Sequence, residues 1–539
     1  MPDSTIATSA AEPVEPAEPA ESAEPAGPAE SAAGAARLKR DALGTSDITF
    51  LVVSAAAPLT VMAGVAPLAV LLGGLGAPTA YLAAGAVLAV FAAGFTAMTK
   101  YVGNAGAFYA YIGRGLGRHL GLGAAALALA SYNALQIGIY GLFGSAAHDT
   151  LKTLFAVDVP WPVLAFGAVA VVWYLGYRGV DIGARVLGVL LVAETAILLV
   201  LAVGVLVDGG GSGIGFASFT PSNAFAPGMG AALALAFTAF MGFESTALYR
   251  EEAREPNRTI PRATYIAVGF LGLFYAFIVW AVIQAFGEAQ VRGAAAAHPL
   301  DLFYVATDEF VGAWASDAMR VLIVTSVFAA LLAFHNAVNR YAYALSGEGA
   351  LPRVLGRTHA RHKSPYAAGL LQTALAAIVV AGFAAAGADP YLKLLLWVNT
   401  PGAIGLMVLQ ILTAVAVFAF FVRDRRGESV LRVVVAPAVA VVLLIAATAT
   451  MVTRIDLLTS ASTTVNAVLL GLVPVVLVAG VAVSFARRNR DRNQNGDRNQ
   501  NGDRNQNGDR NQNGDRNQDR DRNQDRDQGR SAEPASVNL

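Results

Sequence analysis

Apolar runs of about 20 residues recur so often along the middle of this chain that it cannot fold with water on every side. They fall at about 48–73, 78–99, 119–146, 161–178, 184–207 and 227–248. Six more follow at about 263–286, 318–343, 366–387, 391–421, 430–453 and 463–486. At 1.5 Å of helical rise per residue, each is long enough to cross roughly 30 Å of hydrocarbon. None alternates as a membrane β-strand would. The predicted fold is therefore all-α and integral to the membrane, with about 12 transmembrane helices. Charge agrees, because 14% of the residues are charged, where soluble proteins carry about 25%.

The two ends have a different character. Residues 1–44 are rich in Ala, Pro and Glu, and 487–539 repeat the hexad DRNQNG. Neither holds enough apolar surface to bury, so both are expected to be disordered, the second as a cytoplasmic tail. That tail carries 12 basic and 10 acidic side chains, and the formal net charge of the whole chain is zero. A nucleic-acid partner is not expected. No signal peptide is read at the N-terminus, so the first membrane helix is expected to direct insertion itself. The chain has no cysteine and six histidines, none at metal-ligand spacing, so neither disulfides nor a metal site nor a cofactor is expected.

Basic residues set the orientation. With the N-terminus inside, the inner segments hold 21 Lys and Arg before the tail, and the outer segments hold five: Lys152, Arg292, Arg320, Lys393 and Arg454. By the positive-inside rule both termini are cytoplasmic.

Two spans are interrupted. In the first, VSAAAPLTVMAGVAP, Pro58 removes a backbone donor and clashes with the carbonyl four residues earlier, so the helix should break around Ser54–Ala57. The sixth, ALAFTAFMGFESTALYREEA, sets Gly242 beside the ionisable Glu244 near its middle. One reading is a proline kink and an unrelated packing glycine. The other makes them the corresponding broken helices of two inverted repeats, 48–207 and 227–421, followed by peripheral helices at 430–486. Interruptions at matching places in two halves point to a transporter's binding site.

Polar groups inside spans are expensive in hydrocarbon and mark further candidates. Tyr132, Gln136 and Tyr140 recur at i, i+4, i+8 on the third span, a stripe that either bonds neighbouring helices or lines a pore. Glu194 lies some ten residues from either end of the fifth span. Thr325 and Ser326 sit on the eighth, with His335, Asn336 and Asn339 deeper along it.

At GFESTALYREEAREPNRTIPRA the chain resembles the amino acid–polyamine–organocation (APC) superfamily of permeases. The family's sixth helix ends in Gly-Phe-Glu, followed by Glu-Glu, a Pro and Ile-Pro-Arg. Here those are Gly242, Phe243, Glu244, Glu251, Glu252, Pro256 and Ile260 to Arg262. The segments NRYAYALSGEGALPRVLGRTHARHKSP and YVGNAGAFYAYIGRGLGRHLG resemble the family's inner loops after the eighth and second spans. Asn104 stands where the second of these often has Pro. In the first span AAAPLTVMAG replaces the glycine-rich turn common in the superfamily and resembles a bacterial subgroup that includes putrescine importers. The resemblance covers about 45–486.

It implies the leucine-transporter-type architecture, five helices plus an inverted five and two peripheral ones. It also implies transport of amino acids or polyamines across the plasma membrane, commonly driven by protons. Ser54, Ala55, Ala56, Ala57 and Thr60 would then offer backbone and hydroxyl groups to the substrate. Phe240, Gly242, Phe243 and Glu244 would form the opposite wall, with Tyr132 and Gln136 at its side. In proton-driven relatives an ionisable group on the fifth helix replaces the sodium of related carriers, which makes Glu194 a coupling candidate. A carboxyl at mid-membrane depth can be carried as the neutral acid and give up its proton on the way. Glu244 competes for that role, and Glu194 could instead only bond a neighbouring helix. Sodium coupling through Thr325 and Ser326, and simple exchange, are the alternatives. A membrane-embedded enzyme is the rival class, but it would need paired Asp, an HExxH or a Ser-His pair, and none is visible.

Overall fold

The computed structural model describes residues 43–102, 107–179, 184–347, 351–359, 361–362 and 364–486. Apart from Leu43 and Gly44, the two terminal segments expected to be disordered lie outside the described residues. So does Asn104.

Helices make up most of the described chain. Eleven of them, among the described residues, are long and apolar enough to cross a membrane. The twelfth expected span is Trp161–Tyr177, whose 17 residues reach about 25 Å at 1.5 Å each. That is the short end of the usual range for a membrane helix.

The order of elements repeats. A broken helix opens the chain, Thr45–Ala56 and then Pro58–Gly64, and a second broken helix opens at Met229–Ala239. Each is followed by a long span, Ala77–Met98 in one case and Pro256–Phe286 in the other. Short helices come next: Ala107–Leu116 in the first half, Val291–Ala297 and Leu302–Phe310 in the second. Then comes the longest helix of each half, Arg118–Phe155 with 38 residues and Ala313–Gly347 with 35. Trp161–Tyr177 and Ala184–Asp208 close the first set, Tyr366–Ala385 and Pro390–Arg423 the second. Because five is odd, a second set of five crosses the membrane in the opposite sense. Leu431–Thr453 and Thr463–Ala486 follow. Only 28% and 11% of their best apolar windows are buried inside the protein, as suits helices at the edge of a bundle in lipid.

The two halves meet through glycine. A Cβ at Gly85 on the second span would come within 3.3 Å of Gly272 Cα on the seventh. Two helices can approach so closely only without side chains between them. The Phe240 ring of the sixth span lies beside the same contact, its Cζ also 3.3 Å from that point.

The first span differs from expectation in one respect. It is interrupted twice, first at Ala57 and again at Val65, where φ is −129° between Pro58–Gly64 and Ala66–Gly73. Pro67 explains the second interruption, since a ring nitrogen cannot bond the carbonyl four residues back. The Leu68 N–H turns to the Val65 carbonyl at 3.1 Å, and the Gly64 carbonyl this leaves accepts from the Tyr391 hydroxyl of the tenth span at 2.6 Å.

Candidate functional site

Proline dictates the geometry of the first break. The residue before a proline is driven out of the right-handed helical region, and Ala57 adopts φ 46° and ψ 72°, the left-handed region. For an alanine this costs about 1–2 kcal/mol. The Ala57 N–H turns back to the Ser54 carbonyl at 3.0 Å, and a new half-helix begins at Pro58. The first amide of that half-helix is Leu59, and its N–H donates to the Glu194 carboxylate at 3.4 Å. Glu194 is 4% exposed. A helix N-terminus presents unpaired N–H groups and the positive end of the dipole, so an acidic side chain suits it. The Ser326 hydroxyl is the carboxyl's other partner, and Ser326 in turn shares a 2.9 Å hydrogen bond with Thr60. Three spans thus converge on the first break through Leu59, Thr60, Glu194 and Ser326.

Glycine makes the second break. Gly242 has φ 107°, which an L side chain rarely adopts, and it separates Met229–Ala239 from the tighter 3₁₀ segment Phe243–Glu251. Its amide donates to Glu244 Oε2 at 3.0 Å, while Tyr132 on the third span donates to Glu244 Oε1 at 2.6 Å. The Gly242 carbonyl receives the Ser245 hydroxyl at 2.6 Å. Glu244 therefore braces the interrupted backbone and ties it to the third span.

The two breaks face each other. A Cβ on Gly242 would lie 3.7 Å from Ala55 Cβ and 3.8 Å from the Ala56 nitrogen. Ser54–Ala57, Gly242 and Glu244 consequently share one region within their two spans, with Tyr132 beside it. At their common end the two broken spans are also stitched together. Leu43 N–H donates to the Glu252 carbonyl at 2.9 Å, and Arg254 N–H donates to the Leu43 carbonyl at 2.8 Å.

Several candidates lie elsewhere. Phe240 packs edge-to-face on Tyr275 with centroids 6.1 Å apart, and Phe243 does the same with Phe91 at 6.1 Å. Both rings are fully buried and fill the joint with the second and seventh spans. Gln136 is not drawn toward Glu244 with Tyr132. Its amide donates to the Leu331 carbonyl at 3.3 Å, and its carbonyl accepts from Gln372 on the ninth span. The stripe on the third span therefore serves two different contacts. Thr325 is exposed and donates to the Leu322 carbonyl of its own helix at 2.9 Å. It lines an apolar groove of about 330 Å³ with Phe143, Leu190 and Phe328, away from the Ser326 cluster. Successive helical residues point about 100° apart, and here Thr325 is exposed while Ser326 is buried. Sequence reasoning missed Leu59, Tyr391 and the Leu43 stitch. The first and last act through backbone groups that carry no side-chain signal.

A family profile described as amino acid permease matches residues 43–477. The chain belongs to this family. It is thus a multi-pass membrane protein of the APC superfamily. Among curated relatives, an uncharacterized transporter of Mycobacterium tuberculosis is 33% identical over 250 residues, covering 45% of this chain and 54% of the relative. A branched-chain amino acid permease of Bacillus subtilis is 26% identical over 232 residues, 42% of this chain and 46% of that one. An L-methionine/branched-chain amino acid exporter of Escherichia coli is 32% identical over 138 residues, 25% and 32% of the two chains. The chain spans about half the length of the first of these, 54%.

Proposed function

We propose that this permease is a secondary transporter that moves an amino acid or related amine across the plasma membrane by alternating access, coupled to protons through Glu194. The observation that carries the reading is the apposition of two broken helices, Ala55 and Ala56 against Gly242, partway along two apolar spans. Non-helical backbone at that depth is tolerated where it lines a cavity or is reburied by protein. Here it brings together what a zwitterion needs. The half-helix after Ala57, whose Leu59 N–H is held by Glu194, offers the positive end of its dipole to a carboxylate, and unwound carbonyls receive an ammonium. Ser54–Ala57 and Thr60 act on one side, Gly242 and Glu244 on the other, with Tyr132 holding Glu244 in place. The permease and exporter names of the relatives favour amino acids over polyamines.

Proton coupling is favoured by the placing of the carboxyl. Glu194 bonds the first amide of the moving half-helix and, through Ser326 and Thr60, the eighth span. As an anion it accepts both bonds. As a neutral acid it keeps one proton to donate and binds the amide more weakly, which frees the half-helix to shift. Sodium coupling through Thr325 and Ser326 is the less favoured reading, because Thr325 is exposed and donates to its own helix while Ser326 faces Glu194. Opening toward the face of Leu43 breaks the two backbone bonds that join Leu43 to Glu252 and Arg254.

Uptake of a radiolabelled mixture of amino acids into sealed proteoliposomes tests the reading. Protein-dependent accumulation inhibited by one unlabelled amino acid in excess is the expected result. Uptake no greater than into protein-free liposomes, for every amino acid and for putrescine, would overturn it.

A further inference from the structure

The fourth span is short, and its lipid-facing side ends in a charge. Val163, Phe166, Trp173 and Tyr174 are exposed and fall on one face of Trp161–Tyr177. Arg178 continues that face four residues after Tyr174 and is exposed too. Its guanidinium lies 5.4 Å from the centre of the Tyr174 ring, and its Nε donates to the Tyr174 hydroxyl at 3.1 Å. The arginine is therefore folded back along the side that meets lipid. Seventeen residues reach about 25 Å, less than a hydrocarbon layer of about 30 Å. A span that falls short is met by flanking side chains that reach up to the headgroups, and exposed Trp and Tyr mark that same level.

A second segment brings more positive charge to this point. The loop that carries His359, Arg361, His362 and Ser364 is fastened to the end of the span. The Ser364 hydroxyl donates to the Tyr177 carbonyl at 2.6 Å, and a Cβ on Gly179 would stand 3.1 Å from the His362 carbonyl oxygen. The two histidine rings stack at 4.8 Å, and both lie against Tyr177, at 5.0 and 5.8 Å. The His362 N–H donates to His359 Nδ1 at 3.2 Å, so the neutral His359 ring carries its proton on Nε2, where it is a donor. Partial burial and the charges of His359, Arg178 and Arg361 hold the His362 ring below the usual histidine pKa. Arg361 is exposed, and neither it nor Arg178 has an ion-pair partner among the described residues.

We propose that Arg178, Arg361 and the two histidines hold the phosphate of an anionic phospholipid, in the leaflet on the Leu43 face. That face is the one the positive-inside rule assigns to the cytoplasm. A guanidinium offers a fork of N–H groups that matches two phosphate oxygens, and two forks with an imidazole N–H can surround one phosphate. Arg178 decides for lipid over a dissolved anion, because it lies on the lipid-facing side beside Trp173 and Tyr174. A phosphate bound there arrives with acyl chains that run along Phe166 and Val163. Net charge decides among lipids, since a zwitterionic headgroup brings an ammonium that these cations repel. One headgroup spanning Arg178 and Arg361 ties the entry of the ninth span to the end of the fourth. The site lies apart from the breaks at Ala57 and Gly242 and does not depend on the transport reading.

The test uses full-length protein in detergent, with Arg178→Gln, Arg361→Gln and, for comparison, Arg258→Gln. Melting temperature and lipid retention in native mass spectrometry are measured with added dioleoylphosphatidylglycerol, dioleoylphosphatidylcholine or glycerol 3-phosphate. The wild type should melt higher with phosphatidylglycerol than with either other addition, and should retain that lipid. Arg178→Gln and Arg361→Gln should each bind it about fivefold more weakly and lose most of the rise. Arg258→Gln should keep both. Arg361→Gln decides alone if Arg178→Gln fails to fold without its Tyr174 bond, because Arg361 has no ion pair to lose among the described residues. An equal rise with phosphatidylcholine, or with glycerol 3-phosphate, would overturn the proposal. So would a full phosphatidylglycerol effect in Arg361→Gln, or an equal loss in Arg258→Gln, which would assign the effect to the charge of the whole face.

Discussion

Gly242 allows the mechanism to be tested at one backbone position. At φ 107° an alanine is strained by about 1–3 kcal/mol. A β-branched residue in such a conformation is a genuine outlier and costs more. Crowding contributes little at the first carbon, because an added Cβ meets Ala55 only at 3.7 Å, an ordinary contact. If the backbone relaxes to negative φ instead, the Gly242 N–H swings off Glu244, and a hydrogen bond to a charged group is worth about 1.5–3 kcal/mol. Either way the break loses its shape while the surrounding packing is spared. Gly242→Ala should therefore slow uptake by about tenfold or more, since 1.4 kcal/mol is a factor of ten. Gly242→Val should abolish it. The assay is initial uptake rate in proteoliposomes, with membrane yield and monodispersity in detergent as controls for folding. A Gly242→Val protein that transports at the wild-type rate would refute the reasoning, since the sixth span would then need no special backbone at that point.

The hydroxyls of the eighth span separate by face: Ser326→Ala should impair accumulation by removing the link between Thr60 and Glu194, whereas Thr325→Ala should leave uptake unchanged. Arg258→Ala should change neither rate nor melting temperature, because its 3.4 Å pair with Glu255 is exposed on both sides and such pairs are worth about 0–1 kcal/mol. A topology reporter fused after Arg262 should read as cytoplasmic; an extracellular signal would contradict the orientation drawn from the 21 inner and five outer basic residues.

How far the sequence foretold this site depended on which part of a residue does the work. Spans were legible because hydrocarbon demands long apolar helices, and Pro58 was legible because a missing donor cannot be hidden. Gly242 could be read from its place beside Glu244. Side-chain direction was not legible. Phe240 and Phe243 flank Gly242 in sequence, yet their rings are used to fill the space left by Gly85 and between Phe91 and Phe95. Gln136 shares a helical face with Tyr132, but one turn along the third span brings it level with Leu331 and Gln372 rather than with the sixth span. Ala57 is an alanine in a conformation usually left to glycine, and only the proline after it hints at that. Leu59 and Leu43 take part through the main chain, where every residue looks alike.

Central to the account is a proton carried by Glu194, and one comparison tests it most directly. Wild type and Glu194→Gln are reconstituted in sodium-free buffer, an inward pH gradient is imposed, and amino acid accumulation is measured beside exchange. The Gln side chain keeps the shape and can still accept from Leu59, but it has no proton to carry. The wild type should concentrate its substrate on the gradient alone, and the variant should lose that accumulation while still exchanging. Accumulation that requires sodium, or a Glu194→Gln protein that still concentrates substrate on a pH gradient, would contradict the account.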